Sequence, residues 1–258
     1  MAKIIAVANQ KGGVGKTTTS VNLTAALKQA GCRALLLDMD PQGNATSSFG
    51  IDKNKVPASM YDVLIRGVSM AQVIRETRYG DIVPANKELS GAGIQLVEMP
   101  DREYILKKAL AAVSESYDYI ILDCPPSLEM LTLNGLCAAN SVLIPVQCEY
   151  FALEGLTDLM TTVKLTKRSL NRDLEIEGVL LTMFDGRTNL SFQVAEEVKK
   201  YFRDKVYNAV IPRSVRLSEA PSHGKPVTHY DGGSKGALAY KRLAEEMMSR
   251  NGKTGGGR

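Results

Sequence analysis

Short apolar runs alternate with amphipathic stretches along most of the chain. Seven of these runs are typical of buried strands, at residues 4–8, 33–38, 80–84, 119–123, 141–146, 178–183 and 206–211. Apolar side chains recur at helical spacing at residues 21–27, 102–113, 190–202 and 237–248. Apolar strands separated by helices predict an α/β fold, in which a mostly parallel, twisted sheet carries helices on both faces.

A glycine-rich segment from Lys11 to Thr18 follows the first predicted strand and opens a helical pattern. Strand, glycine loop and helix together are the setting of a phosphate-binding loop, whose N–H groups and helix dipole attract anions. We therefore predict an ATP site in which Lys16 reaches the β- and γ-phosphates and the Thr17 hydroxyl ligates Mg²⁺. The predicted ATP-binding residues are Lys11, Gly12, Gly13, Val14, Gly15, Lys16, Thr17 and Thr18. The alternative is an ordinary glycine turn.

The loop departs from the general phosphate-loop pattern at its first position, where Gln10 replaces glycine and a second lysine, Lys11, follows. This arrangement resembles the deviant Walker A motif of the ParA/MinD family of ATPases, and the resemblance extends over nearly the whole chain. It implies a P-loop NTPase fold and an ATP-dependent homodimer. In that dimer Lys11 would reach the partner's nucleotide, and Gly12 would lie where the two subunits meet face to face.

Two further predicted strands end in carboxylates. Asp38 and Asp40 follow residues 33–38, and Asp123 ends residues 119–123. Parallel sheets bind ligands at the carboxyl ends of their strands, so we expect these side chains near the phosphate loop. Asp123 has the Walker B form and is predicted to hold Mg²⁺ directly or through water, with Asp38 as a further contributor to the metal shell. The alternatives are a plain turn and a strand that merely ends in Asp.

The family resemblance assigns the attacking water to Asp40. The residue after Asp123 is Cys124, so no glutamate stands there as a general base, and slow hydrolysis is expected. The resemblance also implies that backbone near Pro212 reads the adenine base and that Glu149 contacts the partner's nucleotide. For these two residues a strand-ending proline and an ordinary loop carboxylate remain open alternatives.

Composition and charge limit the possible settings of this ATPase. The chain has 258 residues and a formal net charge of +4, and residues 130–258 hold 18 Lys+Arg against 14 Asp+Glu. No apolar run approaches the roughly 20 residues of a membrane span, and the start lacks a signal-peptide shape. We predict a cytoplasmic protein with one ATPase domain at residues 1–250 and a disordered glycine-rich tail at residues 251–258.

Features outside the nucleotide site separate the functions that this family serves. A membrane ATPase of the MinD type would end in a basic amphipathic helix, whereas this chain ends in glycines. An iron–sulfur protein would carry C-x-x-C, or a cysteine near position 130, where the chain has Met130. The chain begins at once with the nucleotide segment and so resembles the short, chromosomal, Soj-type partition ATPases.

That resemblance implies a molecular switch for chromosome or plasmid partitioning. Its ATP-bound dimer would bind double-stranded DNA of the nucleoid without sequence preference, through Arg187 and Arg216. Hydrolysis stimulated by a ParB-like partner would release the DNA. For each arginine, a solvated surface side chain is the alternative. A MinD-like ATPase that positions cell division and a small-molecule ATP-dependent ligase remain open as other functions of the same core.

Overall fold

The computed structural model describes residues 1–150 and 154–252. They form a six-stranded sheet with the order β3-β2-β4-β1-β5-β6, in which every pairing is parallel. The strands are β1 (Lys3–Val7), β2 (Ala34–Asp38), β3 (Asp81–Val83), β4 (Tyr119–Asp123), β5 (Ser141–Gln147) and β6 (Glu175–Thr182). The predicted α/β class with a parallel sheet is confirmed.

Twelve α-helices surround this sheet in the described residues. They are α1 (Lys16–Gln29), α2 (Asn44–Ser48), α3 (Met60–Ile65), α4 (Met70–Val73), α5 (Ala92–Val97), α6 (Ile105–Ala111), α7 (Met130–Ala138), α8 (Glu154–Ser169), α9 (Asn189–Phe202), α10 (Val215–Glu219), α11 (Val227–Tyr230) and α12 (Lys235–Arg250). Both faces of the sheet are apolar and covered, which explains why the strands read as continuous apolar runs.

Alternation along β2 shows how the two faces divide. Leu36 packs into one apolar cluster with α1 and α12, whereas Leu35 and Leu37 pack into the opposite cluster with α6, α7, α8 and α9. Successive side chains of a strand point to opposite faces, so one strand serves both cores. The crevice at the carboxyl ends of the strands lies between these two helical layers.

The prediction of a strand at residues 206–211 is wrong, because the structure has no strand there. Tyr207 and Ile211 each donate a backbone N–H to β6 at 2.9 Å. Between them, the backbone N–H of Ala209 donates to the Glu246 carboxylate of α12, also at 2.9 Å. Because a helix side chain takes this donor, the segment leaves the sheet between two contacts and forms no continuous ladder.

The end of the chain lies partly outside the described residues. Of the predicted tail, residues 253–258 fall there, whereas the Asn251 side chain donates to the Glu177 carboxylate at 2.7 Å. Across residues 1–150 and 154–252, none of the helices has the length and apolar character needed to cross a bilayer.

Candidate nucleotide-binding site

The phosphate loop joins β1 to α1. Gly13 and Gly15 adopt φ values of 76° and 91°, in the left-handed region where glycine carries no steric cost. Gly15 is the N-cap of α1, and no acidic residue occupies the first turn of that helix. The N–H groups at the start of α1 are therefore available to an anion at the loop.

Lys16 lies folded over this loop. Its side chain is largely buried, and Nζ donates to the backbone carbonyl of Lys11 at 3.1 Å. Burial lowers the pKa of Lys16, while the charges of Asp123 and Asp40 act in the opposite direction. The ammonium is thus held on the loop that is predicted to bind the β- and γ-phosphates.

Two buried carboxylates stand side by side at the ends of neighbouring strands. Asp38 of β2 and Asp123 of β4 are direct partners in the strand register, and both are fully buried. Burial raises the pKa of Asp123 to about 8, and the charge of Asp38 adds to the rise. Burial likewise raises the pKa of Asp38, to about 6. Two adjoining buried anions are stabilised by a cation, so the pair suits a metal site.

One carboxylate oxygen of Asp123 can serve as a metal ligand. Its Oδ1 accepts from the Ser20 hydroxyl at 2.9 Å, whereas its buried Oδ2 has no hydrogen-bond partner among the described residues. The hydroxyls of Ser20 and Thr17 oppose the rise in the pKa of Asp123, so Thr17 lies close to the carboxylate. A buried carboxylate oxygen beside a phosphate-loop hydroxyl fits Mg²⁺, which prefers oxygen ligands.

The oxygens of Asp38 are engaged within the protein. Oδ2 accepts from the Thr46 hydroxyl at 2.6 Å and from the Thr46 N–H at 2.8 Å. Oδ1 accepts from the Asp40 N–H at 3.2 Å. Asp38 therefore anchors the segment that carries Asp40, and Asp123 fits a metal better.

Asp40 lies at the same crevice and is partly exposed. Its Oδ1 accepts the backbone N–H of Gln42 at 2.9 Å. Its charge acts on Lys16, as does that of Asp123. The structure thus brings together the phosphate loop, Lys16 and all three predicted carboxylates.

Lys11 and Glu149, which are both predicted to reach the partner's nucleotide, are paired within one subunit. Lys11 Nζ lies 3.7 Å from Glu149 Oε2, and Glu149 Oε1 lies 3.8 Å from Arg213 Nη2. Gly12 is exposed next to this group, and a Cβ built there meets no described atom within 4 Å. The loop surface that carries Lys11 and Gly12 is therefore open to solvent.

A cavity of about 250 Å³ adjoins the other side of the phosphate loop. Its lining includes Gly15, Thr18, Met183, Pro212 and Tyr240. Pro212, which is distant in sequence, is thereby brought next to the loop. The cavity is therefore the candidate site for the base that is predicted near Pro212, and we name it the base pocket for that prediction.

Three residues that hold this site in place were not predicted from the sequence. Ser20 and Thr46 bind the two buried carboxylates, and the Thr182 hydroxyl donates to the carbonyl of Val14 within the loop at 2.8 Å. Thr182 ends β6, so a polar residue at the carboxyl end of an apolar strand was the available signal. For Ser20 the sequence signal was weaker, namely its place one helical turn after Lys16.

The two predicted DNA-binding arginines lie on segments that meet beside the base pocket. The backbone N–H of Phe184 donates to the carbonyl of Ile211 at 3.0 Å, and that of Arg213 donates to the carbonyl of Phe184 at 3.0 Å. Arg187 follows the first segment, and Arg216 on α10 follows the second. Both guanidinium side chains are more than half exposed.

Each of these arginines contacts carboxylates of its own subunit. Arg187 makes a bidentate contact with Asp185, through Nη2 at 2.7 Å and Nε at 2.9 Å. Arg216 lies 2.9 Å from Glu219 Oε2 and 3.3 Å from Asp231 Oδ2. The carboxylates orient the guanidinium groups and offset part of their charge.

The chain is similar to known proteins over most of its length. Residues 2–176 match a family described as AAA domain. The chain is 61% identical over 251 residues to the sporulation initiation inhibitor protein Soj of Bacillus subtilis, covering 96% of this chain and 99% of that protein. It is 51% identical over 253 residues to the chromosome partitioning protein ParA of Myxococcus xanthus, covering 97% and 89%.

Among solved structures, the fold is similar to cobyrinic acid a,c-diamide synthase from Mycobacterium smegmatis with bound ADP and magnesium. The TM-score is 0.86 at 39% sequence identity, with 98% of each chain covered. Sequence identity over nearly the full length is higher to the Soj and ParA proteins. The chain therefore belongs to the ParA/MinD family of ATPases, among its Soj-type members.

Proposed function

We propose that this protein is an ATP-dependent switch for chromosome partitioning. Its ATP-bound dimer holds double-stranded DNA without sequence preference, and hydrolysis releases it. A ParB-like partner protein stimulates the hydrolysis, and DNA binding places the dimer on the nucleoid in the cytoplasm. The named relatives, Soj and a chromosome partitioning protein ParA, support partitioning over a role in positioning cell division.

The observation that carries the ATP-dependent part of this proposal is the crevice where Lys16, Asp40 and Asp123 meet the phosphate loop. ATP and Mg²⁺ are the cofactors that it fits, and the similar synthase structure contains ADP and magnesium. Thr17 and Asp123 would hold Mg²⁺, which when bound neutralises charge on the phosphates. Lys16 binds the β- and γ-phosphates, and Pro212 borders the base pocket.

Asp40 is the residue that orients the attacking water in this proposal. Asp40 is partly exposed at the crevice, and its backbone N–H donates to Asp38 Oδ1 at 3.2 Å. Cys124 cannot act as the base, because burial raises the pKa of its thiol far above neutrality. Only one carboxylate orients the water, and no general base follows Asp123. We therefore expect slow ATP hydrolysis, which suits a timed switch.

DNA binding is assigned to Arg187 and Arg216. Both guanidinium groups are exposed on segments that adjoin the base pocket. Arginine binds phosphates well, and phosphate contacts give affinity without sequence reading. One subunit offers few such contacts, whereas a dimer doubles them on one face and so raises the affinity steeply.

An ATP-dependent ligase is the second candidate, because one similar solved structure is a cobyrinic acid a,c-diamide synthase. The nucleotide site alone does not separate the two functions, since both use the same core. A ligase requires an acceptor substrate that stimulates turnover, whereas the partition switch requires DNA and a protein partner. Assaying ATP turnover with cobyrinic acid and an ammonium salt, since forming an amide requires a nitrogen donor, and separately with duplex DNA, distinguishes them.

Sedimentation with ATP, ADP or no nucleotide, each with and without unspecific duplex DNA, tests the proposed switch. We expect a dimer with ATP only, and DNA binding by that dimer only. Lys16→Ala serves as the negative control, because it removes the phosphate-binding ammonium, and Lys28→Ala in the last turn of α1 as the matched surface control. DNA binding that is equal in all nucleotide states contradicts the switch.

A further inference from the structure

Thr182 joins the phosphate loop to the last strand of the sheet. It is buried at the end of β6, and its hydroxyl donates to the carbonyl of Val14 at 2.8 Å. Val14 lies between the two left-handed glycines of the loop, and the bonded residues are 168 positions apart. A buried carbonyl that loses its donor is left unsatisfied, so this bond constrains the middle of the loop.

The same side chain packs against the start of α1. The Cβ and Cγ2 atoms of Thr182 lie 3.8 Å from the place that a Cβ would take on Gly15. Thr182 and Gly15 both line the base pocket. The hydroxyl of Thr182 thus holds the loop, while its carbon atoms lie over the helix N-terminus that is predicted to bind phosphate.

The backbone of Thr182 reaches two other functional segments. Its carbonyl accepts the N–H of Cys148 at 3.1 Å, directly before Glu149, the residue paired with Lys11. The next residue along, Met183, has φ of 50°, a left-handed conformation that is uncommon outside glycine. The chain then continues to Asp185, whose carboxylate holds Arg187.

We infer that Thr182 is a positioning residue that couples the phosphate loop to the segment carrying Arg187. Nucleotide phosphates bind the N–H groups of the loop and so select one arrangement of it. Because the Val14 carbonyl is bonded to Thr182, that arrangement also selects the position of the end of β6, and therefore of Met183 and the residues up to Arg187. This inference rests on the proposed function, in which ATP binds at the loop and DNA at Arg187.

Coupling between two sites is reciprocal, so it is measurable from the nucleotide side. If ATP raises the affinity for DNA, then DNA raises the affinity for ATP by the same factor, typically about 5- to 150-fold. The experiment measures binding of a non-hydrolysable fluorescent ATP analogue with and without unspecific duplex DNA. The ratio of the two dissociation constants is the coupling factor.

Two substitutions separate the hydrogen bond of Thr182 from its packing. Thr182→Val keeps the shape and removes the hydroxyl, whereas Thr182→Ser keeps the hydroxyl and removes the methyl group. The matched control is Thr24→Val, because Thr24 is fully buried in α1 and its hydroxyl also donates to a carbonyl, that of Ser20, at 2.7 Å. We expect Thr182→Val to bring the coupling factor below about 2, while Thr182→Ser and Thr24→Val keep a factor in the ordinary range of about 5 or more.

A wild-type coupling factor of one overturns the proposed ATP-dependent DNA binding itself. A coupled wild type with an equally coupled Thr182→Val overturns only the role of Thr182. Hydrogen exchange on the wild-type protein gives a second test that needs no variant to fold. We expect the ATP analogue alone to protect residues 183–189, and unchanged exchange there contradicts the coupling route.

Discussion

The Lys11 ammonium lies 3.7 Å from the Glu149 carboxylate of its own subunit. The family resemblance assigns this lysine to the nucleotide of a partner subunit. Lys11 must therefore leave Glu149 before it can cross a dimer interface. The cost of leaving is small, because both side chains are at least one-third exposed and such pairs contribute about 0–1 kcal/mol.

Glu149→Gln is expected to shift dimerisation to lower ATP concentration, by up to about fivefold, which corresponds to a pair of about 1 kcal/mol. Analytical ultracentrifugation across a titration with a non-hydrolysable ATP analogue measures the shift. Glu197→Gln is the matched control, since Glu197 forms an exposed pair with Lys200 on α9. A shift to higher ATP concentration would instead support a contact of Glu149 with the partner's nucleotide.

Gly12→Val is expected to fold, to bind ATP and to remain monomeric. A Cβ at this position meets no described atom of its own subunit within 4 Å, so we expect the clash at a partner. Gly93→Val on α5 is the control, because a Cβ there is equally unobstructed. Sedimentation with ATP provides the readout, and an ATP-dependent dimer of Gly12→Val rules out face-to-face contact at Gly12.

Asp123→Asn is expected to have opposite effects on stability and on Mg²⁺ use. At neutral pH without nucleotide or metal, the variant should melt at a higher temperature, because burial and Asp38 both disfavour the charge at Asp123. Its nucleotide binding should lose the dependence on Mg²⁺. Thermal melts and ATP binding with and without EDTA measure the two effects.

Asp62→Asn is the control for that experiment. The Asp62 carboxylate is also buried, but it accepts from the Ser59 N–H at 2.7 Å and from Arg66 at 2.5 Å. Losing a charge with these partners should lower the melting temperature. Asp123→Asn would refute the metal role if Mg²⁺ stimulated its nucleotide binding as in the wild type.

Asp40→Ala is expected to bind ATP normally and to hydrolyse it about a hundredfold more slowly, the scale on which misplacing a reacting group slows a reaction. The ATP-bound dimer should consequently stay on DNA for longer. Phosphate release and dissociation from immobilised DNA are the two measurements, with exposed Asp52→Ala as control. Wild-type hydrolysis by Asp40→Ala would assign the water to another residue.

Arg187→Ala/Arg216→Ala is expected to dimerise with ATP but to bind DNA weakly, to a similar degree for all sequences. The slope of log affinity against log salt concentration should become shallower by about 0.9 for each DNA phosphate that the variant no longer neutralises. Lys87→Ala/Lys108→Ala removes the same charge from exposed positions elsewhere and is the control. Binding at wild-type strength throughout a salt titration would move the DNA face to another surface.

Local patterns predicted the fold class and the position of the phosphate loop. Apolar runs and helical spacing are properties of residues that are close in sequence. The same holds for the turn at Gly13 and Gly15, where both residues adopt a left-handed backbone. The family followed from the same short segment, because Lys11 and Lys16 lie within it. The roles of Asp40, Arg187 and Arg216 came from that resemblance and stay predictions.

Tertiary structure alone decided which distant residues meet. The strand order β2-β4-β1 puts Asp38 directly opposite Asp123, and no periodicity in the sequence specifies strand order. Glu246 interrupts the segment predicted as a strand, and Thr182 reaches Val14 across 168 positions. Such contacts join side chains that are far apart in the chain and meet only when it folds. The sequence by itself therefore determined the phosphate loop, whereas the tertiary structure decided which residues hold the loop in place.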